Sequence, residues 1–326
     1  MENEDLFKSR INLTEVKSTF EAIQQEIGKI VLGQSKIVEQ LSIALLCEGH
    51  VLIEGMPGVA KTLTAKCMAK TVDAGFSRIQ FTPDLMPSDV IGTMIYNPKS
   101  SEFDFKSGPI FSNIILIDEI NRAPAKTQSS LFECMEERQV TVDGHTHPLS
   151  APFMVIGTQN PIDHEGTYRL PEAQLDRFMF KLEVEHPALD IEEKILELHQ
   201  NAGHRVDVND IRKVITTGTL KSIQETITHV EVKQEVLKYI ASVVHETRNN
   251  ANIYLGASPR ASISLLQSSK AYAAIQGRDF VIPDDVKEMM LAVLNHRIVL
   301  NPEREMEGMT NHTALKFIID KVAVPS

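Results

Sequence analysis

Between Leu13 and Ile30, apolar residues recur every three or four positions (Val16, Phe20, Ile23, Ile27, Ile30), and 37–46 repeats the spacing. Both segments read as amphipathic helices. At His50 the period changes. Residues 50–54 form a short apolar run that stops at Gly55 and reads as a buried strand, and a helical stretch follows from Lys61 to about Lys70. Further apolar runs at 76–81, 113–117, 153–157 and 178–184 are too apolar for strands with one wet face. Alternating with helices, they predict a parallel sheet covered on both sides.

Two segments break that rhythm. Residues 91–96 and 103–106 flank a polar turn of Asn97, Pro98, Lys99 and Ser100, while 139–142 and 145–149 flank Asp143-Gly144, a strong hairpin signal. Both read as hairpins inserted into the α/β frame, at about 91–106 and 139–149. After His186 and Pro187 the strand signal stops. Residues 191–200, 211–215, 220–229, 233–248, 259–276 and 283–295 all read as helices, the last opened by Pro283 with Asp284 and Asp285 behind it. The expected division is an α/β domain over 1–186 and a smaller, all-helical domain over 187–326. A chain of 326 residues is too long for one compact core and comfortable for two.

Composition narrows the class. Hydrophobic content of 42% and charged content of 24% are those of a folded globular protein. The net charge of −11 argues against a protein whose main work is to coat nucleic-acid phosphates. No run approaches the roughly 20 apolar residues of a membrane span, and MENEDLFKSR has no apolar stretch that would make it a secretory signal. Cys47, Cys67 and Cys134 lie far apart in apolar stretches. They read as buried free thiols of a cytoplasmic protein, in preference to a disulfide or a metal site. His145 and His147 would share a strand face on the second hairpin and could hold a metal. With no third ligand in view, a solvated hairpin tip is the simpler reading.

Candidate chemistry begins at Gly55-Met56-Pro57-Gly58-Val59-Ala60-Lys61-Thr62, a P-loop pattern with alanine at 60 where glycine is usual. Its chemistry needs successive backbone N–H groups curled around phosphates at a helix N-terminus, where the helix dipole favours negative charge. Lys61 would reach the β- and γ-phosphates and Thr62 would ligate Mg²⁺. Ala60 still supplies its N–H, provided it sits at negative φ and a methyl fits. A chance loop is the alternative, opposed by the apolar strand before and the helix after. Residues 114–119 then form an apolar strand ending in Asp118 and Glu119, the Walker B pattern. Asp118 would hold Mg²⁺ through water, and Glu119 would act as general base on the attacking water. Asn160, after the strand at 153–158, would orient that water from a third side.

Taken together, the Walker motifs, DEINRAP (118–124), GTQNP (157–161), LPEAQLDRF (170–178) and SPRA (258–261) resemble the MoxR family of AAA+ ATPases, from about Ile30 to the C-terminus. Alanine at the position of Ala60 is familiar there. The resemblance implies a P-loop NTPase fold of class α/β: an AAA+ αβα parallel-sheet domain followed by a helical lid. It also implies ATP and Mg²⁺ as cofactors. Gly55, Pro57, Gly58, Val59, Ala60, Lys61, Thr62 and Leu63 would cradle the phosphates, and Val31 and Gly33 match the segment that packs against adenine. Asn160 resembles sensor 1 and Arg260 resembles sensor 2. Arg177 stands where relatives carry the arginine that reaches a neighbouring subunit's ATP, with Arg169 and Arg122 as alternatives near the same interface. Such an arginine stabilises charge on the transferring phosphoryl group and makes hydrolysis depend on assembly.

The two hairpins resemble inserts of the clade that includes magnesium-chelatase ATPase subunits and replicative helicases, where they tend to face a central pore. The implied function is chaperone-like remodelling of a protein client, including metal or cofactor insertion. The implied assembly is a homo-oligomeric ring, hexameric in the family, with a von Willebrand factor A domain protein as a partner in trans. A nucleic-acid motor or loader using the same engine is the alternative, opposed by the charge balance. A nucleotide-dependent scaffold without turnover is opposed by Glu119 and Arg177.

Overall fold

The computed structural model describes residues 11–56, 58–160, 168–201 and 207–325. Helix α1 (Thr14–Gly28) turns Val16, Phe20, Ile23 and Ile27 inward, and α2 (Ser35–Leu46) does the same with Val38, Leu41 and Leu45. Strand β1 (Val51–Gly55) leads into α3 (Lys61–Thr71) and β2 (Phe76–Gln80). A short α4 (Pro87–Ile91) then opens the first hairpin, β3 (Gly92–Asn97) and β4 (Glu102–Ser107). Next come β5 (Ile114–Asp118), α5 (Ala125–Glu137) and the second hairpin, β6 (Gln139–Val142) with β7 (His145–Pro148). The α/β part closes with β8 (Met154–Gln159), a short α6 (Glu172–Leu175) and β9 (Phe180–Val184).

The main sheet is parallel, in the order β2-β5-β8-β1-β9. Successive side chains on a strand face opposite ways. Val51, Ile53, Ile114, Leu116 and Ile156 therefore join one buried cluster, while Leu52, Ile115, Ile117 and Val155 join another. The first cluster runs on without a break through α1, α2 and α3 into the helices beyond residue 187. Among the described residues there are two such clusters, but the sheet separates them and the change of fold class does not. Both edge strands are less buried than their sequence suggests, and β9 exposes Glu183. β2 lies at the sheet edge and exposes Arg78 and Gln80.

The C-terminal part contains α7 (Leu189–Asn201), α8 (Thr217–Thr228), α9 (Gln234–Asn249), β10 (Ile253–Leu255), α10 (Pro259–Ile275), α11 (Pro283–Leu294), β11 (Val299–Leu300), α12 (Pro302–Met306) and α13 (Asn311–Lys321). Among its described residues the strand structure is one small antiparallel ribbon, β10 with β11, and an isolated bridge between Glu231 and Phe280, so the all-helical expectation needs that correction. Strands so short leave too few alternating positions to be read. The expected helix at 211–215 is also absent. Ile211 and Ile215 are buried as predicted, but the N–H groups of Val214 and Ile215 both donate to the Thr71 carbonyl at the end of α3. A five-residue segment is too short to nucleate a helix against such a competitor.

Arg297, just past α11, is 7% exposed. Its Nε donates to Asp176 Oδ1 at 2.8 Å, and its terminal nitrogens donate to the carbonyls of Asp176, Phe178, Met179 and Val293. A buried guanidinium is tolerable only when its donors are matched in this way. The contact fastens the lid to the segment ahead of β9.

His50, immediately before β1, has a fixed tautomer. Nδ1 accepts the Val155 N–H at 3.0 Å, so Nε2 carries the proton, 3.1 Å from the Met135 carbonyl. Burial first, and the nearby Arg138 charge, pull its pKa down to about 4. Because the fold holds the ring neutral, its contribution is intact above the unfolded value near 6.5 and is lost as pH falls from there to about 4. The whole loss is about 3 kcal/mol at one pKa unit per 1.4 kcal/mol, of which about 2 kcal/mol falls above pH 5. Urea unfolding at pH 7 and pH 5 checks this. His50→Phe should be less stable at pH 7 but lose less between the two.

Candidate active site

Gly55 ends β1 beside β9 at a point where a Cβ would lie 2.7 Å from the Val184 carbonyl oxygen, so only glycine passes. The chain then leaves the sheet. Pro57 lies outside the described residues. Gly58 has φ +88° with open space where a side chain would stand, and Ala60 has φ +59°. The condition set for Ala60, a negative φ, is therefore not met. The loop needs a left-handed turn there, which costs a non-glycine residue about 1 kcal/mol. That is the physical reason glycine is usual at this place.

Helix α3 starts directly at Lys61, with no side chain capping its first N–H groups. Those donors and the dipole behind them suit an anion. Thr62 and Leu63 lie half-buried in its first turn, and Val59 is 5% exposed. Lys61 Nζ lies inside the loop, donating to the Gly55 carbonyl at 2.6 Å. Burial lowers its pKa, opposed by the carboxylates of Asp118, Glu119 and Glu54.

Glu54 belongs to β1 itself, and the other two come from β5, the next strand but one in the sheet. Asp118, at the tip of β5, is 8% exposed; its Oδ1 accepts from Thr158 Oγ1 at 3.2 Å and its Oδ2 from Arg78 Nε at 2.6 Å. Glu119 follows at φ +57°, a left-handed conformation that costs a glutamate on the order of 1 kcal/mol and aims its side chain. Its N–H donates to the same Thr158 hydroxyl at 3.1 Å. Its Oε2 accepts from Gln80 Nε2 at 3.0 Å and pairs with Arg122 Nε at 3.1 Å. Asn160 directly follows β8, the strand between β1 and β5, and is half-buried. The fold thus brings Lys61, Asp118, Glu119 and Asn160 to one edge of the sheet.

The residues present fit Mg²⁺. A threonine hydroxyl and one carboxylate are hard oxygen donors, and Mg²⁺ completes its octahedron with water and phosphate oxygens. Among the described residues no group of three His, Cys, Asp or Glu side chains forms a metal cage.

A cleft of about 650 Å³ adjoins the loop, walled by Gly33, Gln34, His186, Ile191, Leu291 and His312. Gly33 has φ +75°, and a Cβ there would meet Ile191 Cγ2 at 2.6 Å, so backbone and packing both require glycine. Val31 is 5% exposed and packs in the core beneath the wall. Gln34 joins cleft to loop, its Nε2 donating to the Val59 carbonyl at 2.6 Å. Sequence reasoning missed Gln34, Arg78, Gln80 and Thr158. Arg78 and Gln80 stand two apart on β2, and that alternation was the available signal.

The arginines are divided. Arg122 serves Glu119, and exposed Arg169 pairs with Glu172 at 3.3 Å. Arg177 and Arg260 both lie on Glu136, at the end of α5. Met135, next to Glu136, bonds to His50 at the start of β1, so this cluster sits at the amino end of the sheet. The phosphate loop is at the other end of β1, a strand about 17 Å long at 3.3–3.4 Å per residue. Arg177 and Arg260 are therefore remote from the P-loop of their own chain.

His147 is not part of a solvated tip. Its ring stacks on Phe105 of the first hairpin, with centroids 4.1 Å apart and planes at 14°. The metal alternative gains nothing from that placement. The three cysteines are free, and burial pushes their thiols up, to about 11 for Cys67 and about 12 for Cys47 and Cys134.

Residues 50–180 match the family model of the ATPase family associated with various cellular activities (AAA), and 245–316 match the AAA lid domain. Chaperone MoxR1 of Mycobacterium tuberculosis is 42% identical over 318 residues, spanning 94% of this chain and 82% of its own. The chain belongs to the MoxR family of AAA+ ATPases. Another relative, the uncharacterized protein YeaC of Bacillus subtilis, is 45% identical over 92% of this chain and 93% of its own. A crystal structure of a candidate ATPase from Cytophaga hutchinsonii superposes with a TM-score of 0.89 at 41% identity, covering 96% of this chain and 97% of that one. As a MoxR-family AAA+ protein the chain binds nucleotide and is an ATPase. Among the described residues no helix is long and apolar enough to cross a membrane.

Proposed function

We propose that this ATPase works as a homo-oligomeric ring, hexameric as the family resemblance implies, and that hydrolysis drives chaperone-like remodelling of a protein client. One observation carries the reading. Arg177 and Arg260 sit at the opposite end of the sheet from their own P-loop. An arginine that is to stabilise a transferring phosphoryl group from there must serve another subunit's nucleotide.

Each residue then has a task. Gly55, Pro57, Gly58, Val59, Ala60 and Leu63 shape the cradle, Lys61 binds the β- and γ-phosphates, and Val31 and Gly33 shape the adenine cleft. Thr62 and Asp118 hold Mg²⁺, which when bound neutralises phosphate charge. Glu119 takes a proton from the water that attacks the γ-phosphorus while Asn160 orients that water. The bond from the γ-phosphorus to the bridging oxygen breaks, and ADP and phosphate leave. Gln80 and Arg122 hold the Glu119 carboxylate in place. We take residues 1–186 as the nucleotide-binding unit and 187–326 as the lid. Buried free thiols fit a cytoplasmic setting, and a von Willebrand factor A domain protein in trans is included among the partners on the resemblance alone.

Client contact falls to the first hairpin. Tyr96 and Phe103, paired at 5.4 Å, are 51% and 64% exposed, and Ile95 beside them is 45% exposed. The second hairpin instead tucks His147 against Phe105 and acts as a buttress. Replacing Tyr96 and Phe103 together by serine should leave basal ATPase within about twofold, since surface changes away from a site alter little. The same change should weaken capture of client by Glu119→Gln protein loaded with ATP. Lost basal turnover with intact capture would reverse the assignment. For the ring, the test is turnover per subunit, which must rise with protein concentration as subunits assemble.

A further inference from the structure

The cluster at the amino end of the sheet contains a carboxylate to which the catalytic roles above assign nothing. Glu136, in the last turn of α5, uses both oxygens on arginines of different origin. Its Oε2 receives Nε and a terminal nitrogen of Arg177, each at 2.8 Å, in a two-pronged contact. Its Oε1 receives a terminal nitrogen of Arg260, which comes from the first turn of α10 in the lid. The hydrogen bond from Arg177, with both positive charges, holds the Glu136 carboxyl below the usual carboxylate range.

Other contacts fix the two arginines without bringing them together. The Arg177 guanidinium lies 5.9 Å from the centre of the Phe132 ring, one turn back on the same face of α5. Ser258, the cap of α10, donates to Asp176 Oδ2 at 2.7 Å, so the helix carrying Arg260 starts beside Arg177. Arg138 beside them is engaged by Glu48, and Arg297 by Asp176. Two like charges on a half-exposed surface repel unless an anion lies between them. Glu136 supplies that anion while consuming only part of each guanidinium's five donors.

We infer that Glu136 is a positioning residue that gathers Arg177 of the core and Arg260 of the lid into one guanidinium pair, presented to the γ-phosphate bound by a neighbouring subunit. The inference rests on the trans reading of those arginines and goes one step further. It makes the lid's position felt at the neighbour's active site through a single carboxylate.

Glu136→Gln keeps the shape and loses the charge. Its kcat should fall at least about tenfold, the scale of one charge-assisted hydrogen bond, with KM for ATP unchanged because its own P-loop is untouched. Glu136→Asp, which keeps the charge, should recover part of the loss. Mixed into an assembly with Lys61→Ala subunits, Glu136→Gln should regain turnover, since an intact Glu136 on the first then faces an intact P-loop on the second. Arg177→Ala mixed in the same way is the control. Recovery with Arg177→Ala but not with Glu136→Gln would overturn the role of Glu136 and leave the trans reading standing. Recovery with neither would remove both. An unchanged or raised kcat in Glu136→Gln would also overturn the inference, as would a loss appearing in KM alone.

Discussion

Arg177→Ala is expected to bind ATP with wild-type affinity and to hydrolyse it about 10³-fold more slowly, the scale of other arginines supplied to a phosphoryl group in trans. Affinity should persist because Arg177 is engaged by Glu136, Ala173 and the Phe132 ring, with no described residue of the P-loop or the cleft among its partners. Turnover should collapse because charge building on the γ-phosphate oxygens loses its guanidinium. Calorimetric titration and a steady-state phosphate-release assay separate the two. Mixing with Lys61→Ala subunits should restore turnover only where the two kinds meet. Wild-type turnover per subunit that stays flat through the dissociation range would count heavily against a trans role.

Glu119→Gln is expected to bind ATP and hydrolyse it at least about 10²-fold more slowly, the usual worth of a general base. The amide matches the carboxylate in shape, so the left-handed backbone at φ +57° and the N–H bond to Thr158 should survive. What goes is proton acceptance. The pairing with Arg122 goes too, which is why Arg122→Ala is a useful companion. If it left hydrolysis unchanged while Glu119→Gln abolished it, the loss would belong to the base itself. Unchanged turnover in Glu119→Gln would mean that another group takes the proton.

The central strands were legible because burial on both faces writes a continuous apolar run, and β5 and β8 fall where such runs lie. The phosphate loop was legible because its chemistry is local in the chain. Its backbone was not. Nothing in the residue types says that Ala60 takes a positive φ, so the condition of a negative φ set there was not met. Residues 211–215 carried helical spacing, yet their hydrogen bonds go to Thr71, a partner that only the fold supplies. Glu136 was invisible for a similar reason. It meets Arg177 across 41 positions and Arg260 across 124, and a glutamate ending a helix looks like any solvated one. Arg78 and Gln80 were obscured by reading 76–81 as a fully buried strand.

Arg297 has a mechanical consequence. Four hydrogen bonds to Asp176, Phe178 and Met179 and a fifth back to Val293 of its own helix hold it, so the lid is pinned where α11 ends. Slack in the joint must be sought elsewhere. α11 extends about 18 Å from that pin at 1.5 Å per residue, so a 10° tilt about it sweeps the far end through about 3 Å. The lid is then a lever with its fulcrum at Arg297, beside the arginine pair. A change of tilt that is wide at the start of α11 arrives at Arg260 as a small, stiff displacement.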